Sequence, residues 1–508
     1  MNDTTTQRGS YWLATTPREP AHPPLGDGAT QAEVAVLGGG IAGITTALLL
    51  ARAGVDVAVV EAQTVGSGVT GASTAKVSSA HGHCYGPLTS RISAETARAY
   101  GEANERALHW MADLVAAESI DCDWRAKDAW TYTTDPDKAS DIEQEAEASI
   151  ASGLPATLEA DVPLPFDTVA GVRVTGQAEC HGRKYVLGLA DLAVKAGARI
   201  YEQTRVTGVS TGSPGKVETE RGILQAERVV VATHYPILDR GLYFARLSAE
   251  RSYCVGARVT GTVPQGMFFA IDSPSRSLRT TPLEDGGELL IVGGEGHDTG
   301  KDPDTGYRYR ALYDWAREHF EIEHHSLYRW SAQDNTAPDG LPYAGPFVPR
   351  SGRLFVIAGM RKWGFTNATA AAHDVAARLT GTEPPSGELF NPSRLHVRAS
   401  VGALAKENLS VAVRYGGDRV ANLSGPNRAD DLPAGEGAII FSGARRVAAY
   451  RDGDGVLHTV SSTCTHLGCE VRFNPAERSW DCPCHGSRFG VDGEVLEGPA
   501  VKPLKRVD

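Results

Sequence analysis

Two short segments near the C-terminus carry the side chains with the clearest chemistry. They are Cys464-Thr465-His466-Leu467-Gly468-Cys469 and Cys482-Pro483-Cys484-His485-Gly486-Ser487. One opens as Cys-x-His and the other as Cys-x-x-His, so together they offer two thiolates and two imidazoles. That donor set suits a structural zinc ion, or a [2Fe–2S] cluster with two cysteines on one iron and two histidines on the other. Zinc fingers usually pair like residues, as C-x2-C and H-x3-H. Here each segment mixes one cysteine with one histidine, which suits two irons served by two symmetric loops. A further cysteine occupies a matching place in each segment, Cys469 and Cys484, and the two could bridge the loops.

A second constellation lies far upstream. Glu33-Val34-Ala35-Val36-Leu37 is a short apolar run, Gly38-Gly39-Gly40-Ile41-Ala42-Gly43 follows, and Ile44 to Ala53 is rich in helix formers up to Gly54. Val55 to Val60 is a second apolar run, closing on Glu61-Ala62. A lone GxGxxG is weak. One with a strand before, a helix and a second strand after, and an acid about 20 residues on is the dinucleotide-binding pattern. Gly38 permits a tight turn, Gly40 lets the backbone approach a pyrophosphate at a helix N-terminus, and Gly43 lets helix and strand pack closely. Glu61 would accept hydrogen bonds from a ribose. The long small-residue stretch Gly66 to Lys76 would let backbone run beside a second part of a long cofactor.

The whole chain sets bounds around these sites. At 508 residues it implies two or three domains, and 41% hydrophobic with 22% charged residues is ordinary globular composition. A net charge of -12 argues against nucleic acid, whose phosphates need a basic surface. Cys84, Cys122, Cys180 and Cys254 are scattered and read as small core residues. Met1 to Asp27 is polar and proline-rich and reads as an irregular leader without a signal peptide. No uninterrupted apolar run reaches membrane-span length, and the expected location is the cytoplasm.

Further along, Val229 to Thr233 and Leu354 to Gly359 are buried strands, and Trp363-Gly364-Phe365-Thr366 opens an alanine-rich helix. With Asp339-Gly340-Leu341-Pro342 before the last strand, this order resembles the glycine/D-amino-acid oxidase family of FAD enzymes. The C-terminal loop pair resembles a Rieske protein of the disulfide-containing kind. The combination resembles the Rieske-containing FAD-dependent oxidoreductases, to which Thr74-Ala75-Lys76 with His81-Gly82, Trp330 to Asp334, Asn391 to Arg394 and Ser479-Trp480-Asp481 are further likenesses.

The resemblance implies an α/β Rossmann-like FAD domain with an inserted α+β substrate domain, then a small all-β Rieske domain. Residues 1–30 are a leader and 31–394 the FAD-dependent domain. Its dinucleotide segments fall at about 31–90, 200–240 and 335–385, and its substrate part mainly at 91–199 and 241–334. Residues 395–431 connect, with a short helix over Leu404 to Leu409, and 432–508 hold the cluster. Thr74, Ala75, Lys76, Val206 (near the adenine), Ala232, Gly359, Gly364, Phe365 and Thr366 would join the FAD site. Cys464 and Cys482 would bind one iron, His466 and His485 the other, exposed one, and Cys469 and Cys484 would form a disulfide. Ser487 stands where such relatives aim a hydroxyl at a bridging sulfide. Phe489 stands where the quinol-oxidising ones place a tyrosine, so a lower potential than theirs is expected.

The implied function oxidises a small molecule, an amine or amino acid, at FAD and relays single electrons through the cluster to an external one-electron partner. An oxidase returning electrons to O2 beside a structural or sensing Rieske domain is the alternative, as is a non-enzymatic electron carrier. His81 and Lys76 are the catalytic candidates. Arg276 and Arg279 could clamp a carboxylate, but read more simply as surface arginines. His319, Glu323, His324 and His325 could suggest a two-His-one-carboxylate iron site, but read more simply as a solvated helix end. Gly293 to His297 is not a second dinucleotide site, since no βαβ unit surrounds it.

Overall fold

In the computed structural model of the chain, Thr30–Leu37 is the strand on which the N-terminal half is built. Residues 6–17, 19–26, 28, 30–302, 304–394, 428–443 and 445–507 are described. The expected helix at 404–409 and most of the 395–431 connector lie outside them. Alternate residues of the strand bury in opposite layers. Val34 and Val36 pack under the helices Ile41–Arg52 and Gly364–Thr380, while Ala35 and Leu37 join Val60, Val231 and Tyr243 on the other face. A strand covered on both faces needs such a continuous apolar run.

Tyr343–Pro346, Leu354–Ala358, Gly222–Val231, Thr30–Leu37, Val57–Val60 and Arg199–Tyr201 follow one another across this sheet. All neighbours are parallel except the first pair. Leu37 lies level with Val60 and Val231, and Val231 with Val356. The loops after these strands therefore meet at one edge, where open α/β sheets bind ligands.

The second sheet is mixed and mostly antiparallel. Residues 241–334 supply Ser248–Arg258, Met267–Ala270, Arg276–Pro282, Glu288–Asp298 and Tyr328–Thr336, and Arg125–Thr133, Ala156–Glu159 and Ala170–Glu179 come from the earlier segment. Two additions come from outside the expected substrate segments. Lys76–Val77 pairs with Ala178 and Glu179, and Gln7–Arg8 pairs in parallel with Tyr328 and Arg329.

The leader is therefore not an irregular tail. Ser10 caps a one-turn helix, Tyr11–Ala14, and its hydroxyl donates to the Gly71 carbonyl. Trp12 is wholly buried and its indole N–H donates to Ser73 O at 2.7 Å. A polar, proline-rich composition hides such an anchor, because one aromatic pair suffices to dock the segment.

The C-terminal part folds as two small antiparallel sheets. One contains Gly437–Ser442, Arg445–Arg451 and Leu457–Ser461. The other contains Arg472–Asn474, Ser479–Asp481, Arg488–Gly490 and Val495–Glu497. Trp480 and Phe489 face each other across neighbouring strands, both fully buried. In the hairpin turn Asp452 Oδ1 accepts from the amides of Asp454 and Val456 at 3.0 and 2.8 Å. Among the described residues no helix is long and apolar enough to cross a membrane.

Candidate functional site

The glycine-rich turn behaves as its spacing requires. Gly38 has φ +109, and a Cβ there would sit 2.5 Å from Ala232 O. A Cβ on Gly43 would meet Gly38 O at 2.0 Å, so helix and turn touch backbone to backbone. Gly40 starts the Ile41–Arg52 helix with no side-chain cap. Its first turn opens into a cavity of about 550 Å³; Ile41 N donates to Thr70 Oγ1 at 3.1 Å, and the helix dipole favours an anion there.

Glu61 is at the rim. Its carboxylate accepts from Gly39 N at 2.6 Å and Gln63 N at 2.8 Å, and burial raises its pKa. A glycine cradle, a helix start facing the cavity and a half-buried acid fit the pyrophosphate and ribose of a dinucleotide.

Gly38, Gly40, Ile41, Ala42, Glu61, Ala62, Val206, Ala232, Gly364 and Phe365 line this cavity. The other expected residues stand behind its wall. Gly39 holds Glu61, Gly43 packs the helix, and Gly359 makes a turn at φ +75. The carbonyls of Thr74 and Ala75 are tied to Arg279 at 3.0 and 2.8 Å. Thr366 Oγ1 donates to Ser78 O at 2.8 Å.

The two C-terminal loops repeat one backbone design. Cys464 N donates to Cys469 O at 2.8 Å and Gly468 N to Cys464 O at 3.1 Å; Cys482 N donates to Ser487 O at 2.8 Å and Gly486 N to Cys482 O at 3.0 Å. The Cys464 and Cys482 thiols are in hydrogen-bond contact. The His466 and His485 rings lie 5.1 Å apart, centre to centre.

Cys469 and Cys484 are joined by a disulfide of 2.07 Å. Their sulfurs and that of Cys482 lie within 4.8 Å of one another, but a disulfide has no thiolate to give a metal. The donors left are two thiols on one side and two imidazoles on the other. Ser487, fully buried, accepts from Ala500 N at 3.0 Å and hydrogen-bonds Cys464; hydrogen bonds to sulfur tune a cluster's potential.

Comparison with known proteins agrees with both halves. The family described as FAD dependent oxidoreductase matches residues 33–378, and the Rieske [2Fe-2S] domain matches residues 427–508. The chain belongs to the FAD-dependent oxidoreductase family and carries a Rieske domain.

It is 36% identical to a putative Rieske 2Fe-2S iron-sulfur protein of Bacillus subtilis, across 98% of this chain and 97% of that one. It is 27% identical to the gamma-glutamylputrescine oxidoreductase of Escherichia coli, across 46% of this chain and 56% of that one. Its fold is shared with glycine oxidase from Geobacillus kaustophilus, at a TM-score of 0.62 and 22% identity, over 72% of this chain and all of that one. Its cofactors are FAD and a Rieske [2Fe–2S] cluster.

In this FAD-dependent oxidoreductase neither catalytic candidate lines the cavity. His81 Nε2 donates to Ser78 O at 2.6 Å, Nδ1 accepts from Tyr100 OH at 2.6 Å, and the ring stacks on Trp363 at 4.9 Å. Both nitrogens are occupied, and burial pushes its pKa down to about 3. Lys76 is buried in the second sheet against Ser277, and burial, with Arg279 nearby, lowers its pKa to about 7.

The residue that does reach the cavity is Lys362. It donates to Ser252 Oγ at 2.6 Å and Glu250 Oε1 at 2.9 Å, and lies 3.4 Å from Asp334. Burial raises the Asp334 pKa, and Lys362 opposes the rise. Lys362 stands immediately before the Trp363-Gly364 signal, but nothing in its spacing marks it. His234 also lines the cavity, at φ +65, with a buried Nε2 that has no partner.

Arg276 and Arg279 are not surface residues. Arg276 pairs with Glu295 at 2.7 Å and Arg279 with Glu179 at 3.2 Å, all four buried. The His319 group does not converge: His319 bonds Trp315 O and Glu323 pairs with Arg258.

The edge formed by His466 and His485, expected to be exposed, is covered. His466 has 7% of its side chain exposed, with Nε2 2.7 Å from Asp239 Oδ1. The Phe244 ring lies 6.2 Å from His466 and 5.5 Å from His485. Both contacts come from the FAD-binding part, and loop chemistry could not announce them. In return Glu477, Arg488, Glu497 and Gly498 help close the cavity wall. The seam between the halves is polar and paired, with Gln333 Nε2 to Gly486 O at 3.0 Å, Arg205 to Val495 O at 3.0 Å and Thr305 to Asn474 at 2.6 Å.

Proposed function

We propose that the chain oxidises a small amine or amino acid at FAD and passes the electrons singly, through the cluster, to an external one-electron acceptor. Cys464, Cys482, His466 and His485 are the iron ligands in this reading, and residues 31–394 and 432–508 its two working parts. The observation that carries it is the path of one segment. His234 lines the FAD cavity, and Asp239 and Phe244 touch the imidazoles of the cluster site.

When bound, FAD takes two electrons together from a C–H bond beside nitrogen, and the cluster carries them one at a time. Glu61 and the start of the Ile41–Arg52 helix orient the dinucleotide. Lys362, paired with Glu250 and Asp334 and donating to Ser252, places a fixed N–H donor on the cavity wall. Glu477, Arg488 and Glu497 close the wall nearest the cluster and exclude water. The E. coli relative is named for an amine derivative, which supports the substrate class.

The test is anaerobic rapid mixing with a panel of amines, amino acids and NAD(P)H. The flavin absorbance should be lost first, with the electron paramagnetic resonance signal of the reduced cluster growing in afterwards. A flavin that bleaches beside a cluster that stays oxidised would end the relay reading.

A further inference from the structure

The stretch from Asp239 to Phe244 belongs to the FAD-binding half yet ends on the cluster loops. It follows the strand Gly222–Val231, passes Ile237 against Gly498 at the seam, and turns through a kinked 3-10 segment, Arg240–Ala245. Within it Gly241 has φ +77 and Leu242 φ +54. A left-handed conformation is disfavoured for leucine, whose Cβ crowds the following carbonyl. The residue is 58% exposed, so its own packing does not hold it there. What the turn achieves is the placement of its neighbours, Asp239 on His466 and Phe244 on both histidines.

We propose that Asp239 is a positioning residue for the cluster, which fixes His466 through its outward N–H and lowers the cluster's reduction potential. This rests on the reading of His466 and His485 as iron ligands. An imidazole has two nitrogens, and the hydrogen bond made by one decides which is left for the metal. With Nε2 on Asp239 at 2.7 Å, Nδ1 is left for iron. A carboxylate acceptor makes the ligating ring more electron-rich. It thereby favours the oxidised cluster, which carries one more positive charge than the reduced one.

Among the described residues no lysine or arginine makes an ion pair with Asp239, so its charge acts on His466. Phe244 covers the two rings from water, while the Asp239 side chain is 60% exposed, so solvent damps the effect of its charge to what passes through the direct hydrogen bond. The device adds to the missing hydroxyl at Phe489, since both push the potential in the same direction. It also ties the potential to the docked arrangement, because the carboxylate and the imidazole come from different halves of the chain.

The experiment is a redox titration of the full-length protein with FAD bound, followed by the cluster's paramagnetic resonance signal. Wild type is compared with Asp239→Asn, Asp239→Glu and Phe244→Leu. Asp239→Asn keeps the shape but loses the charge, and its potential should rise. Asp239→Glu restores the charge and should return most of the shift, which a merely structural role would not require. Phe244→Leu should raise the potential by less.

An Asp239→Asn protein with a wild-type spectrum and an unchanged or lower potential overturns the proposal, while leaving the iron-ligand reading intact. A wild-type protein whose spectrum lacks the two-histidine Rieske signature overturns the ligand reading, and this proposal with it.

Discussion

The FAD cavity and the cluster loops solve the same problem, holding a redox group, with opposite materials. The cluster site draws its donors and its disulfide from one short stretch, 464–487, and its geometry is enforced by hydrogen bonds inside each loop. The cavity draws on residues 38, 40–42, 61–62, 206, 232–235, 360–362, 364–365 and 368 among others, and much of what it offers is backbone and empty space. One site is a set of side chains, and the other is a set of omissions. Damage to the first should therefore be chemical and local, while damage to the second should be steric and spread through the sheet. Among the described residues the two meet along the His234–Phe244 segment and the polar seam beside it.

The sharpest test of that contrast removes one sulfur. Cys464→Ser should abolish the cluster's paramagnetic resonance signal while FAD absorbance and stoichiometry stay near wild type; loss of both cofactors would mean the sites are not separable. The converse is Gly43→Ala, whose Cβ would stand 2.0 Å from Gly38 O. Overpacking of that kind costs about 1–3 kcal/mol. The purified variant should lose most of its FAD but keep an intact cluster spectrum.

Replacing both Cys469 and Cys484 by alanine opens a bridge spanning 15 residues. The chain-entropy account predicts about 3 kcal/mol less stability. Calorimetry should show this in the cluster half, with the FAD half melting as before.

A smaller effect belongs to the FAD half. Glu145 accepts from the amides of Tyr85 and Gly86 at 2.8 Å each, and burial pushes its pKa up to about 7. The unfolded chain loses that proton near ~4.3, so across this window the folded state binds the extra proton. Stability should fall as pH rises from about 4.3 towards 7 and level off above. Glu145→Gln should flatten that slope in thermal melts of the FAD half.

Least of all, Phe489→Tyr adds one hydroxyl beside the cluster loops at a fully buried position. It should raise the cluster potential without moving the FAD potential. A rise in both would show that the seam transmits more than contact.

What could be read in advance follows the same division. The loop pair was legible because its cysteines and histidines are neighbours in sequence, so spacing and geometry are nearly the same information. The glycine turn was legible because Gly38 and Gly43 are required by local backbone contacts. Lys362 and His234 were not legible, since each gains its meaning from strands far away in the chain. Lys76 and His81 showed the reverse: both come just after the cofactor loop, and both turn into the protein interior. Arg279 looked like a surface charge until four carbonyls and Glu179 closed around it.

The sequence alone determined which groups this protein carries: a dinucleotide turn with its acid, and a pair of Cys/His loops with two cysteines to spare. Those depend on residue type and on contacts within a few positions. Only the tertiary structure decided that Trp12 pins the leader to the cofactor loop and that the histidine edge is covered. It also decided that Asp239 of one half reaches His466 of the other. Such contacts join residues 61 and 227 positions apart. They arise from how sheets stack and where a strained turn points, which no local pattern encodes.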